Sequence, residues 1–95
     1  MRVVFVELSN TKLELLEPLS NKSPIANFLE KNKRGGIHHI CVDVGDIDAA
    51  MENARSRNVR MLNEKPKIGA HGNPVCFMHP NDTAGVLLEF EEPPK

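Results

Sequence analysis

From Ile37 to Val44 the chain reads Ile37-His38-His39-Ile40-Cys41-Val42-Asp43-Val44, and this period of two constrains its fold more than any other feature. A β-strand turns successive side chains to opposite faces, so His39, Cys41 and Asp43 share one face while Ile40, Val42 and Val44 share the other. The apolar set is suited to packing on a helix, which leaves the imidazole of His39 for a cavity. A closing strand repeats the arrangement: Val86, Leu88 and Phe90 lie on one face, and Glu89 stands between them on the other. A His and a Glu from separate strands of one sheet are the kinds of ligand a divalent cation takes.

The 95 residues are enough for one small domain or a piece of one, with a modest buried fraction that a partner subunit would augment. Cys41 and Cys76 both fall in apolar strand readings, which suits reduced, buried thiols better than a secreted disulfide framework. A formal charge of −1, a pI near 6.4, and four Phe with no Tyr or Trp give no electrostatic or stacking basis for binding nucleic acid. No apolar run approaches the ~20 residues of a membrane span, and the stretch before Glu7 is too short for a signal peptide. No nucleic acid or membrane partner is therefore expected.

Along the chain, Arg2 to Leu8 and Thr11 to Leu16 read as a β-hairpin turned at Ser9-Asn10. In its second strand Leu13 and Leu15 share a face opposite Lys12, Glu14 and Leu16, so Glu14 has the same in-between placement as Glu89. Ser23 as N-cap and Pro24 at the first helical position predict a helix that ends at Gly35-Gly36, with an apolar stripe of Ile25, Phe28 and Leu29. After the His-His strand, Asp46 is expected to cap a helix in which Ile47, Ala50, Met51 and Ala54 recur at helical spacing. A short strand over Val59 to Leu62 follows, then a loop from Asn63 to Asn73, a strand over Pro74 to Met78, a turn at His79 to Asp82, and the last strand over Gly85 to Glu91. The pattern is α+β: residues 35–92 form a strand-helix-strand-strand-strand unit, residues 1–34 a hairpin and linking helix that look like the end of a similar unit, and 93–95 a tail.

Several stretches together resemble one known family: Asn10 to Pro18, Ser23 to Ala26, Phe28-Leu29, Gly35 to Cys41, Lys67-Ile68-Gly69-Ala70-His71-Gly72, and Gly85 to Glu89. In this order and spacing they are similar to the methylmalonyl-CoA epimerases of the vicinal oxygen chelate superfamily, whose glyoxalase fold pairs βαβββ modules. The resemblance implies that 1–34 is the remnant of a first module and 35–92 a complete second one. It also implies a divalent metal, cobalt or a similar ion such as Mn2+ or Zn2+, with Glu14, His39 and Glu89 as ligands by position. The family's remaining His ligand and its opposing acid fall on a part of the first module that precedes the hairpin and does not occur in this sequence.

The implied reaction is epimerisation of methylmalonyl-CoA in propionyl-CoA breakdown, with Glu89 as ligand and proton carrier; His71, between Ala70 and Gly72 in a loop, is a candidate for contact with the acyl-CoA substrate. A homodimer is implied as well, in the mitochondrial matrix if the source is eukaryotic and in the cytoplasm if it is bacterial. On residue type alone, His39 is more often a hydrogen-bonded strand histidine than a ligand, and Glu14 and Glu89 read more readily as solvent-facing strand residues. His71 reads equally as a turn residue, His38, which strand alternation turns away from His39 to the helix-packing side, and His79 as structural, and the cations at Lys31, Lys33, Arg34, Lys65 and Lys67 as a solvated face no less than a phosphate contact. Two alternatives stay open: a glyoxalase I-like lyase or other enzyme on the same fold, and a non-catalytic module. An extradiol dioxygenase fits less well, since one His and two carboxylates are not its two-His, one-carboxylate set.

Overall fold

The computed structural model describes all of residues 1–95, as two units, Met1–Gly36 and Ile37–Lys95. In the first unit β1 (Arg2–Glu7) and β2 (Lys12–Glu17) form the expected antiparallel ribbon, closed by a hydrogen bond from Leu8 N to Thr11 O (2.8 Å). Its register sets Arg2 opposite Glu17, Val4 opposite Leu15 and Phe5 opposite Glu14. The Lys12 ammonium lies 5.3 Å from the centre of the Phe5 ring, and Val4, Phe5, Leu13 and Leu15 are all exposed.

The helix that follows, α1 (Ala26–Lys31), is shorter than its sequence predicts at both ends. Ser23 and Pro24 do not open it. Ser23 instead gives its carbonyl to Ala26 N in a preceding turn, Ile25 occupies the cap without a side-chain hydrogen bond, and Asn32 ends the helix before the two glycines. The Asn32 side chain donates to Phe28 O (2.8 Å), so the stop comes from side-chain competition with the helix backbone three residues before Gly35.

The second unit is a βαβββ module. It runs β3 (His39–Asp43), α2 (Ile47–Ser56), β4 (Lys67–Ile68), β5 (Pro74–Phe77) and β6 (Leu87–Glu91), and the sheet order is β3-β6-β5-β4. Asp46 caps α2 as its sequence predicts, its carboxylate accepting from Ala49 N (3.0 Å), and the amide of Ile47 is taken by the Glu92 carboxylate (2.9 Å). Ile47 and Met51 press one stripe of the helix onto Cys76 of β5, with Val44, Met61 and Phe90 around them. No helix is long and apolar enough to cross a membrane.

The module's second strand lies elsewhere than the sequence suggests. Residues 59–62 make only one isolated bridge, Met61 to Met78, flanked by Leu62 N to Phe77 O and His79 N to Arg60 O (both 2.8 Å). Pairing then lapses and resumes at β4, where Lys67 meets Val75 and Ile68 meets Pro74. Pro66 stands where the lapse ends, and a proline has no N–H to give to a ladder.

Candidate active site on the open face of the second sheet

β3 and β6 are parallel neighbours, and their register decides what shares a face: His39 lies beside Leu87, Cys41 beside Glu89, and Asp43 beside Glu91. Adjacent paired residues project to the same side. With α2 covering the Cys76 and Phe90 side, the other side carries His39, Cys41, Asp43, Glu89 and Glu91, joined from β5 by Val75 and Phe77. One ligating atom each from Cys41, Glu89 and Glu91 lie within 4.8 Å of one another.

The electrostatics follow from that crowding. Partial burial pushes the Glu89 carboxyl above its ordinary value, with the charge of Glu91 adding to the shift and His39, the Cys41 thiol and His71 opposing it. The Cys41 thiol is pushed up to about 12 by partial burial of its sulfur and then by the carboxylates of Glu89, Glu91 and Asp43. It is a proton donor here, giving a long hydrogen bond to Glu91 Oε1 (3.6 Å). Glu91 moves the other way: the amide of Asn73, donating to Oε2 at 2.7 Å, holds its carboxyl below the usual range.

Of the residues singled out from sequence, His39 and Glu89 are brought to one face of adjacent strands in the second unit. Glu14 lies in the first unit on β2, exposed and beside Phe5. His71 stands in the loop between β4 and β5, its Nδ1 3.5 Å from Glu91 Oε2. His79 is structural as expected, its Nδ1 accepting from Asn81 N (3.1 Å) at the start of a short 3-10 turn.

Two expectations are corrected. Cys41 is not a buried thiol but an exposed residue, because β3 is an edge strand of the sheet and only Cys76 is enclosed. His38 does not point away from its neighbour, since it precedes the first paired residue of β3 and is free of the strand alternation. Its Nδ1 lies 3.0 Å from that of His39, the rings edge to face. Glu91 and Asn73 were missed, yet Glu91 follows Glu89 by two positions in one strand, and that spacing alone places it on the same face.

The donors that converge, the Cys41 thiol and the carboxylates of Glu89 and Glu91, are of the kinds a divalent cation takes, and the imidazole of His39 lies on the same face. The profile of the Glyoxalase/Bleomycin resistance protein/Dioxygenase superfamily matches residues 1–77. The chain belongs to this superfamily. Within it, the chain is 58% identical over 90 residues to the mitochondrial methylmalonyl-CoA epimerase of Homo sapiens, covering 95% of itself and 51% of that protein. It is 56% identical to the ethylmalonyl-CoA/methylmalonyl-CoA epimerase of Cereibacter sphaeroides, covering 95% of itself and 68% of that protein. A solved methylmalonyl-CoA epimerase in complex with methylmalonyl-CoA and NH4+ superposes with a TM-score of 0.72 at 34% identity, over 95% of this chain and 65% of that one. The chain thus spans about half the length of its human relative.

Proposed function

We propose that this chain carries the second-module half of a methylmalonyl-CoA epimerase site, which moves the proton on the carbon between the carboxylate and the thioester of an acyl-CoA. The observation that carries the reading is the placement of His39 and Glu89 on one face of adjacent strands, with the Glu89 carboxyl partly buried and its proton affinity raised. The similarity to named epimerases and the substrate in a related structure support the choice of reaction.

In this reading His39 and Glu89, with Glu14 added through the family resemblance alone, would be ligands of a divalent cation, probe ion Co2+, with Mn2+ or Zn2+ as substitutes. When bound, the cation would supply Lewis-acid stabilisation of the negative charge that develops on the thioester oxygen. Glu89 takes the α-proton and returns it, a role for which a raised pKa suits a carboxylate, because transfer is most effective when the base titrates near the working pH. His39 would be a ligand of the ion, and its Nδ1 lies 3.0 Å from that of His38. His71 contacts the substrate. Inversion needs a base on each face of the carbon, and Glu89 is the one assigned here.

We further propose that residues 1–34 correspond to the end of a first module and that the chain self-associates through a second copy. The exposed Val4, Phe5, Leu13 and Leu15 of the ribbon support this, since an apolar two-stranded ribbon is marginal alone. A mitochondrial matrix or bacterial cytoplasmic setting follows the relatives. The test is exchange of the α-proton of methylmalonyl-CoA in deuterated water with added Co2+, beside Glu89→Gln and His39→Ala. Exchange by the wild type that both substitutions abolish is expected; exchange that survives Glu89→Gln would overturn the assignment.

A further inference from the structure

The loop from Gly69 to Asn73 joins β4 to β5 and folds back over the open face. Its backbone closes on itself through Gly69 N to Asn73 O (2.9 Å) and Gly72 N to Gly69 O (3.0 Å), with Gly72 at a φ of +80° that other residues rarely adopt. Beneath it lies Val75, the register partner of Glu91. A methyl group added at Gly69 would fall 2.9 Å from Val75 Cγ1, so the loop is seated directly on the sheet.

The polar side of that seat is one residue. Glu91 divides its oxygens: Oε2 accepts from Asn73 Nδ2 at 2.7 Å and lies 3.5 Å from His71 Nδ1, while Oε1 accepts from the thiol of Cys41 at 3.6 Å on the far strand. Its side chain is only 12% exposed, whereas that of His71 is 67% exposed. A largely enclosed carboxylate therefore holds the middle and one end of a turn whose histidine is exposed to solvent.

We propose that Glu91 is a positioning residue: it tethers the 69–73 loop so that His71 is held over the face that carries Glu89, and it governs affinity for the acyl-CoA more than proton transfer. The proposal rests on the epimerase reading of this face. With His71 Nδ1 turned to Glu91, the other ring nitrogen is left for the substrate, which is the usual effect of a carboxylate on an imidazole. Releasing the tether returns the loop to the many conformations open to a Gly-rich turn, and binding must then order it again.

The test compares the wild-type chain with Glu91→Leu, Glu91→Gln, His71→Ala and the double variant, reading KM and kcat for α-proton exchange and amide hydrogen exchange at Gly69 and Gly72. Loss of a hydrogen bond to a charged group predicts a KM raised about tenfold in Glu91→Leu, with kcat changed less than about threefold. Glu91→Gln retains an acceptor oxygen for Asn73 and should recover most of the affinity. In the His71→Ala background Glu91→Leu should add little, as expected of two residues acting in series. A loss chiefly in kcat, or an undiminished effect without His71, overturns the proposal. Should the wild type show no exchange reaction, the epimerase reading fails and the tether is judged on the amides alone: exchange at Gly69 and Gly72 at least about tenfold faster in Glu91→Leu supports it, and unchanged exchange refutes it.

Discussion

Glu89→Gln should make the metal-free protein more stable while removing the proton transfer proposed for it. A carboxyl whose pKa is raised on folding contributes its full stability below the unfolded value, near 4.5, and loses it as pH rises through the folded value. At neutral pH the fold therefore carries a charge that is unfavourable first through its partial burial and then through the neighbouring Glu91, and a neutral isostere removes it. Two unit charges at the 4.8 Å that bounds the Glu89 and Glu91 donors repel by about 3.5 kcal/mol at an effective dielectric of ~20 and about 0.9 kcal/mol in water. The face is open and screened, and His39 and His71 offset part of the repulsion, so the lower end governs and about 1 kcal/mol is expected. For a unit of about 60 residues that is a rise in Tm of roughly 4–8 °C. Thermal unfolding followed by circular dichroism in chelator, at pH 7.5 and at pH 4, reads it directly: the gain should be present at the higher pH and shrink at the lower. A variant no more stable than wild type at pH 7.5 would refute the claim that Glu89 is held at a cost.

Met51 is 2% exposed at the centre of the α2 contact, and Met51→Ala should cost about 2–5 kcal/mol, enough to populate the unfolded second unit in a urea titration. Asp46→Ala removes the acceptor for Ala49 N and should cost about 1 kcal/mol by the same titration. Arg60 hydrogen-bonds Asp82 through its side chain and backbone and holds that carboxyl at about 2, so its contribution is present above the ordinary value of 3.8 and is lost as pH falls toward 2. Asp82→Asn should accordingly flatten the pH dependence of unfolding between pH 4 and 2 and leave it unchanged above pH 5.

What was legible in the sequence was whatever a local period encodes. The alternation around His39 and Glu89, the helical spacing of Ile47 and Met51 and the Asp46 cap each report a strand face or a helix stripe that the fold then uses. What was hidden depended on competition between neighbours. Val59 to Leu62 has strand composition, but its pairing with 77–79 is interrupted and passes to Lys67-Ile68, a choice made by the partner strand and by Pro66. Ser23-Pro24 is a sound helix start by local preference, yet the chain spends it on a turn. Exposure of Cys41 could not be read from its apolar neighbours, because it follows from β3 lying at the sheet edge. The link between Glu91 and the 69–73 loop joins residues 18 apart through a side chain, which no periodicity records.

The account stands on the open face of β3 and β6 being a cation site. Titration of the chelator-treated protein with Co2+, followed by its visible absorption and by calorimetry, tests that without reference to turnover. One Co2+ per chain is predicted, with affinity lowered more than about 100-fold in His39→Ala and in Glu89→Gln, since loss of a direct ligand exceeds the effect of losing a supporting group. Wild-type affinity in both variants, or no saturable Co2+ binding by the wild type, would contradict it.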